Sequence, residues 1–101
     1  MNAAPIGHLA MRRQEALARH TDEPGKMTRL YLSPAHKRAV EELSVWMNAA
    51  GMRVSVDPLG SLIGRYGGTT KGAPAVLIGS HIDTVRDAGI YDGIFGVIAG
   101  I

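Results

Sequence analysis

Two stretches decide how this sequence is read: Ala75-Val76-Leu77-Ile78-Gly79-Ser80-His81-Ile82-Asp83-Thr84-Val85, and then Gly89-Ile90-Tyr91-Asp92-Gly93. Residues 75–79 are an uninterrupted apolar run, the pattern of a strand covered on both faces, as central parallel strands are. In extended backbone, residues two apart project to the same side, so His81 and Asp83 are expected to face one pocket at the end of that strand. Ends of strands in open α/β sheets are where ligands gather. A neutral imidazole holds a divalent ion through one ring nitrogen, while a nearby carboxylate takes the other N–H and raises the ring's basicity. On that chemistry His81 is a candidate metal ligand and Asp83 the group that orients it. Asp92, in a glycine-flanked loop, offers carboxylate oxygens able to bridge two ions. A single His-x-Asp occurs often by chance, so the surrounding sequence has to decide.

Working outward, residues 94–101 (Ile94, Phe95, Val97, Ile98 and Ile101 among them) read as the first turns of a buried helix, and the sequence stops inside that run. Upstream, residues 4–20 are rich in good helix formers and predict a helix, broken by a loop at Pro24 and Gly25. Ser33-Pro34 predicts a second helix start. The serine side chain can accept from the first free N–H groups, and proline is tolerated at the first helical position. Val40, Leu43, Met47 and Ala50 then recur at helical spacing, and Gly51 stands where a left-handed cap is wanted. Trp46 beside that stripe reads as a packing residue. Residues 52–57 alternate as a half-buried strand does, and residues 61–66 form a second extended run after the turn signal at Pro58 and Gly60. The order of elements gives an α/β fold class, an incomplete mixed sheet flanked by helices.

Composition narrows the chemistry. The chain has 101 residues, 46% hydrophobic and 20% charged, with a formal charge of +2. It carries no apolar run of membrane-spanning length and no basic, then apolar, secretory start, so a soluble cytoplasmic protein with no membrane partner is expected. There is no cysteine, so a metal must be held by histidine and carboxylate. Pairs such as Arg12-Arg13 and Lys37-Arg38 read as solvated helix faces. With one Phe, one Trp and three Tyr scattered along the chain there is no stacking platform, and no nucleic-acid partner is expected. His8, His20 and His36 lack carboxylates at ligand spacing and are assigned to solvated faces. Glu41 and Glu42 are adjacent, so on a helix they point in different directions and make a poor catalytic pair.

The string from Gly79 to Val85, with Tyr91-Asp92-Gly93 and Gly96-Val97, resembles the metal motif of the hydantoinase/carbamoylase amidases. The likeness continues upstream through Thr28-Arg29-Leu30-Tyr31-Leu32-Ser33-Pro34, Trp46-Met47 and Ala50-Gly51-Met52, and so covers most of the chain from about residue 27. Arg86-Asp87-Ala88-Gly89 is nearer the allantoate-hydrolysing members than those acting on N-carbamoyl amino acids. Ser61 departs from the family's usual asparagine and puts a local turn bond in question. What the resemblance implies is that His81 binds one metal, Asp92 bridges two divalent ions (manganese or zinc), and Asp83 orients His81. The Asp92–Gly93 peptide bond is often cis in the family. It further implies a small-molecule ureido substrate, a homodimeric full-length protein, and a general-base glutamate and further ligands with no counterpart here. The chain is therefore expected to be an N-terminal fragment of a catalytic domain, inactive by itself, whose dimerisation domain is absent. A sibling aminoacylase or dipeptidase, and a non-catalytic truncated module, are the competing expectations.

Overall fold

A computed structural model describes residues 3–101. Its elements, in chain order, are α1 (Ala4–Leu17), α2 (Pro34–Ala49), β1 (Arg53–Val56), β2 (Leu62–Arg65) and α3 (Ile94–Gly100). No helix among the described residues is long and apolar enough to cross a membrane.

Helix α2 begins and ends as its sequence predicts. The Ser33 side chain accepts from the His36 N–H at 3.2 Å, with Pro34 in the first turn. At the other end, Gly51 at φ +90° follows the capping residue Ala50. The Met52 N–H reaches the Met47 carbonyl and the Gly51 N–H reaches that of Asn48, each at 3.0 Å. That pair of bonds is the Schellman arrangement, which occupies carbonyls the helix leaves free, and the left-handed position suits glycine.

The buried stripe of α2 is rotated from the one expected. Ala35, His36, Ala39 and Leu43 are buried, whereas Val40 and Met47 are half-buried and Ala50 is exposed. Ala39 and Leu43 join Leu17 of α1 and Ile94 and Ile98 of α3 in the core. Trp46 packs against this cluster on one side and lies under Arg13, whose guanidinium carbon is 5.0 Å from the ring centroid. The packing role expected of Trp46 follows from these contacts.

The first extended runs pair as an antiparallel hairpin in the register Arg53 with Arg65 and Val56 with Leu62. Its turn is tied by the Asp57 carboxylate, which accepts from the N–H groups of Leu59 (2.9 Å) and Ser61 (2.8 Å). The Ser61 backbone thus contributes to the turn whatever its side chain does.

The expectation of a central strand over residues 75–79 is corrected. That run belongs to no sheet here, and Val76 and Leu77 are 88% and 96% exposed. The α/β fold class itself holds, with three helices and a sheet that among the described residues is the two-stranded antiparallel hairpin. An apolar run specifies that both faces want cover; it does not supply the neighbouring strands that satisfy its backbone, and none of the described strands pairs with it.

The predicted first helix also ends early, at Leu17 rather than about residue 20. The carbonyls of Leu17, its last residue, and of His20 just beyond are occupied by Arg29, so a side chain from the following loop takes over where the helix stops.

Candidate metal centre

The segment from Met27 to Arg29 is the strut against which the His81–Asp92 loop is built. Met27 and Ala88 form an isolated antiparallel bridge, with Ala88 N–H donating to the Met27 carbonyl at 2.8 Å. The Asp87 N–H donates to Thr28 Oγ1 at 3.0 Å, and the Thr28 hydroxyl donates to Glu23 at 2.7 Å. Arg86 reaches the same Glu23. The guanidinium and the Thr28 hydroxyl hold the Glu23 carboxyl below its usual range.

Arg29 and Thr84 then exchange bonds. The Thr84 N–H donates to the Arg29 carbonyl at 2.8 Å, and the Arg29 N–H donates to Thr84 Oγ1 at 2.9 Å. Asp22 anchors the other flank by accepting from the N–H groups of Leu30 (2.8 Å) and Ala35 (3.2 Å). Burial alone would raise its pKa, but bonds from the Ser33 side chain and from those two N–H groups, with the charge of Arg38, leave it lowered.

On this frame sit the three residues singled out by sequence. His81 Nε2 lies 3.5 Å from Asp92 Oδ1, and its Nδ1 lies 2.6 Å from the Asp83 carbonyl oxygen. A carbonyl only accepts, so Nδ1 carries the proton and Nε2 is left with its lone pair towards Asp92. The Asp83 carboxylate is farther off, 3.7 Å from Nδ1. The main chain of Asp83, more than its carboxylate, therefore fixes the ring, a partner that residue-type reasoning does not reach.

Asp92 is held by the Val85 N–H, which lies 3.4 Å from Oδ2. The Asp92–Gly93 peptide is trans, since the described residues contain no cis bond, and this corrects the expectation taken from resemblance.

Gly93 makes the close approach possible. It has φ +71°, and a Cβ there would lie 2.3 Å from the His81 carbonyl oxygen and 2.5 Å from its Nδ1. Ser80 fastens the same contact by donating to the Gly93 carbonyl at 2.7 Å. Helix α3 thus starts directly against the histidine.

The donor set suits a divalent ion. A 3.5 Å gap between Nε2 and Oδ1 is long for a direct hydrogen bond. It is close to the roughly 3.3 Å that separates two ligands of a tetrahedral ion with bonds near 2.0 Å. One neutral imidazole and one carboxylate fit zinc or manganese equally. Among the described residues no group of three His, Asp or Glu side chains could hold an ion, and His81 with Asp92 could offer two donors to one. Beside them opens a cavity of about 560 Å³ lined in part by Tyr31, His36, Ile63, Ile78, His81 and Asp83.

Two histidines assigned to solvated faces are not there. His36 is buried, and its Nδ1 accepts the Leu32 N–H at 2.9 Å, which places the proton on Nε2. This bond supports Leu32 in a left-handed conformation, φ +59°, that costs a leucine about 1–2 kcal/mol. Burial lowers the His36 pKa, with Asp83 and Asp22 pulling the other way and Arg29 adding to the lowering. His20 Nε2 meets Glu42 at 2.5 Å, joining the end of α1 to α2. His8 is exposed, as expected.

No family model matches the chain. Individual proteins do. It is 44% identical over 92 residues to allantoate deiminase 2 of Glycine max, covering 91% of this chain and 19% of that protein. It is 51% identical over 73 residues to an N-carbamoyl-L-amino-acid amidohydrolase of Pseudomonas sp. (strain NS671), covering 72% of this chain and 18% of that protein. Among solved structures, a hydantoinase/carbamoylase family amidase from Burkholderia ambifaria superposes with a TM-score of 0.86 at 40% identity, over 93% of this chain and 24% of that one. The chain thus spans about a fifth of the length of the curated relatives it matches.

Proposed function

Because this chain is a homologue of the hydantoinase/carbamoylase amidases over about a fifth of their length, we propose that it carries part of the metal centre of an amidohydrolase. The bond cleaved is the C–N bond of a ureido group. The observation that carries this reading is the His81–Asp92 pair, 3.5 Å apart with the histidine tautomer already fixed by the Asp83 carbonyl. Allantoate is the leading substrate, supported by the plant allantoate deiminases among the relatives. An N-carbamoyl-L-amino acid is the second reading, supported by the higher identity to the Pseudomonas protein over a shorter match.

Bound divalent ions in such a centre polarise a carbonyl and lower the pKa of water to near neutrality. His81 contributes a neutral nitrogen to the shell and Asp92 a carboxylate. Asp83 keeps the His81 ring in the tautomer that leaves Nε2 free, and Gly93 and Ser80 keep the ring against the start of α3. Water adds to the ureido carbonyl carbon, the C–N bond breaks, and ammonia leaves. With allantoate, the remaining carbamate loses carbon dioxide to give ureidoglycine. The general base and the remaining ligands come, on this reading, from residues outside these 101, and the segment alone has no turnover.

The test is made on the protein expressed from its complete reading frame, assayed for ammonia release from allantoate and from a panel of N-carbamoyl-L-amino acids. Metal-dependent release that disappears in His81→Ala is the expected result. Release that survives that substitution, or that survives exhaustive chelation, rules the reading out.

A further inference from the structure

Arg29 is 1% exposed, and none of its hydrogen bonds goes to a carboxylate. Its Nε donates to the His20 carbonyl at 3.0 Å, one terminal nitrogen to Leu17 at 2.6 Å, and the other to Ile82 at 3.2 Å. Its own main chain is paired with Thr84 in both directions. A buried cation held by neutral carbonyls is expensive to desolvate, and an apolar side chain of similar volume would spare that cost. What an apolar replacement cannot do is bond three carbonyls at once: that of Leu17 at the end of α1, that of His20 just past it, and that of Ile82 between His81 and Asp83. The rigid guanidinium fork can.

We propose that Arg29 is a positioning residue for the candidate metal centre. By gripping the Ile82 carbonyl from a base fixed on the end of α1, it sets the backbone angle at which His81 presents Nε2 to the ion. The inference rests on the reading of His81 and Asp92 as ligands. It assigns to Arg29 the kind of outer-shell support whose loss commonly weakens metal affinity about 10–100-fold.

The experiment compares wild type, Arg29→Lys and Thr84→Val in the protein expressed from its complete reading frame. Calorimetric titration with manganese or zinc is paired with amide hydrogen exchange on the metal-free protein. Lysine keeps the charge and stem but cannot span three carbonyls. It is expected to weaken metal binding about tenfold or more and to speed exchange across residues 81–85, leaving the β1–β2 hairpin protected and KM little changed as kcat falls. Wild-type affinity with wild-type exchange overturns the proposal. So does exchange that quickens evenly through the chain, which marks a merely structural role. If the lysine variant does not fold, Thr84→Val, which removes the oxygen that receives the Arg29 N–H, must weaken metal binding in its place; unchanged affinity is the contrary result. A wild type that binds neither metal sinks the ligand reading instead, and the metal-free exchange data still decide whether Arg29 holds the loop.

Discussion

Substituting Gly93 with alanine places a methyl carbon where the His81 main chain and ring already stand. The new Cβ would be 2.3 Å from the His81 carbonyl oxygen, 2.5 Å from Nδ1 and 2.6 Å from Cε1. The nearest of these is backbone, which cannot swing aside as the tip of a long side chain does. Regaining ordinary contact near 3.4 Å requires a retreat of about 1 Å. To this is added the left-handed backbone at φ +71°, about 1–2 kcal/mol for a residue with a Cβ. Overpacking of a filled site typically costs a further 1–3 kcal/mol or so, giving a total of about 2–5 kcal/mol. A domain with about 5–15 kcal/mol of stability survives that. The site fares worse. A displacement of about 1 Å opens the His81–Asp92 spacing beyond one coordination shell, and misplacement of that size costs on the order of 100-fold in rate. Thermal melting, metal titration and turnover of Gly93→Ala in the protein expressed from its complete reading frame are the assays. Melting lowered by several degrees with metal affinity and turnover greatly reduced is expected. Wild-type affinity and turnover would refute the packing of His81 on Gly93.

Three further predictions follow from single contacts. Ser33→Ala removes the side-chain bond to His36 N–H and the bond to Asp22, and should cost about 1 kcal/mol or more by chemical denaturation, with Ser33→Thr, which keeps the hydroxyl, restoring most of it. Asp22 has a lowered pKa, so its contribution to stability is present above its unfolded pKa near 3.8 and is lost as pH falls through the folded value. Asp22→Asn should flatten the acid limb of a stability–pH curve, and an unaltered limb counts against the assignment. His36 is likewise lowered, by burial first, so the folded state disfavours its protonation and stability should decline as pH falls from about 6.5 towards the folded pKa. His36→Phe removes the acceptor for the Leu32 N–H at about 1–2 kcal/mol. It should also abolish the decline, as unfolding curves at neutral and mildly acid pH would show.

Local signals carried much of the fold. Ser33-Pro34 and Gly51 bracket α2 because capping chemistry acts over a single turn, and Pro58 with Gly60 marks the hairpin for the same reason. The run from Ala75 misled because apolarity reports a demand for cover and leaves open where the covering strands come from; among the described residues they are missing. In the site, the period of two between His81 and Asp83 was legible, but the nearer partner of Nδ1 is a main-chain oxygen, which no residue type announces. Arg29 escaped notice as a buried group for the same reason. A charged side chain reads as surface unless an acid of matching spacing is visible, and its three partners are carbonyls. His20 and His36 were misread because their partners, Glu42 and the Leu32 N–H, are set by packing of α1 and the preceding loop on α2.

The central claim, that His81 and Asp92 are ligands of one metal centre, is tested most directly by counting ions. The protein expressed from its complete reading frame would be stripped with chelator, and wild type, His81→Ala and Asp92→Asn titrated with manganese or zinc. The account predicts about two ions per chain in wild type, as two-metal hydrolytic sites hold, and loss of tight binding at one or both positions in each variant. Full stoichiometry and unchanged affinity in both variants would contradict it.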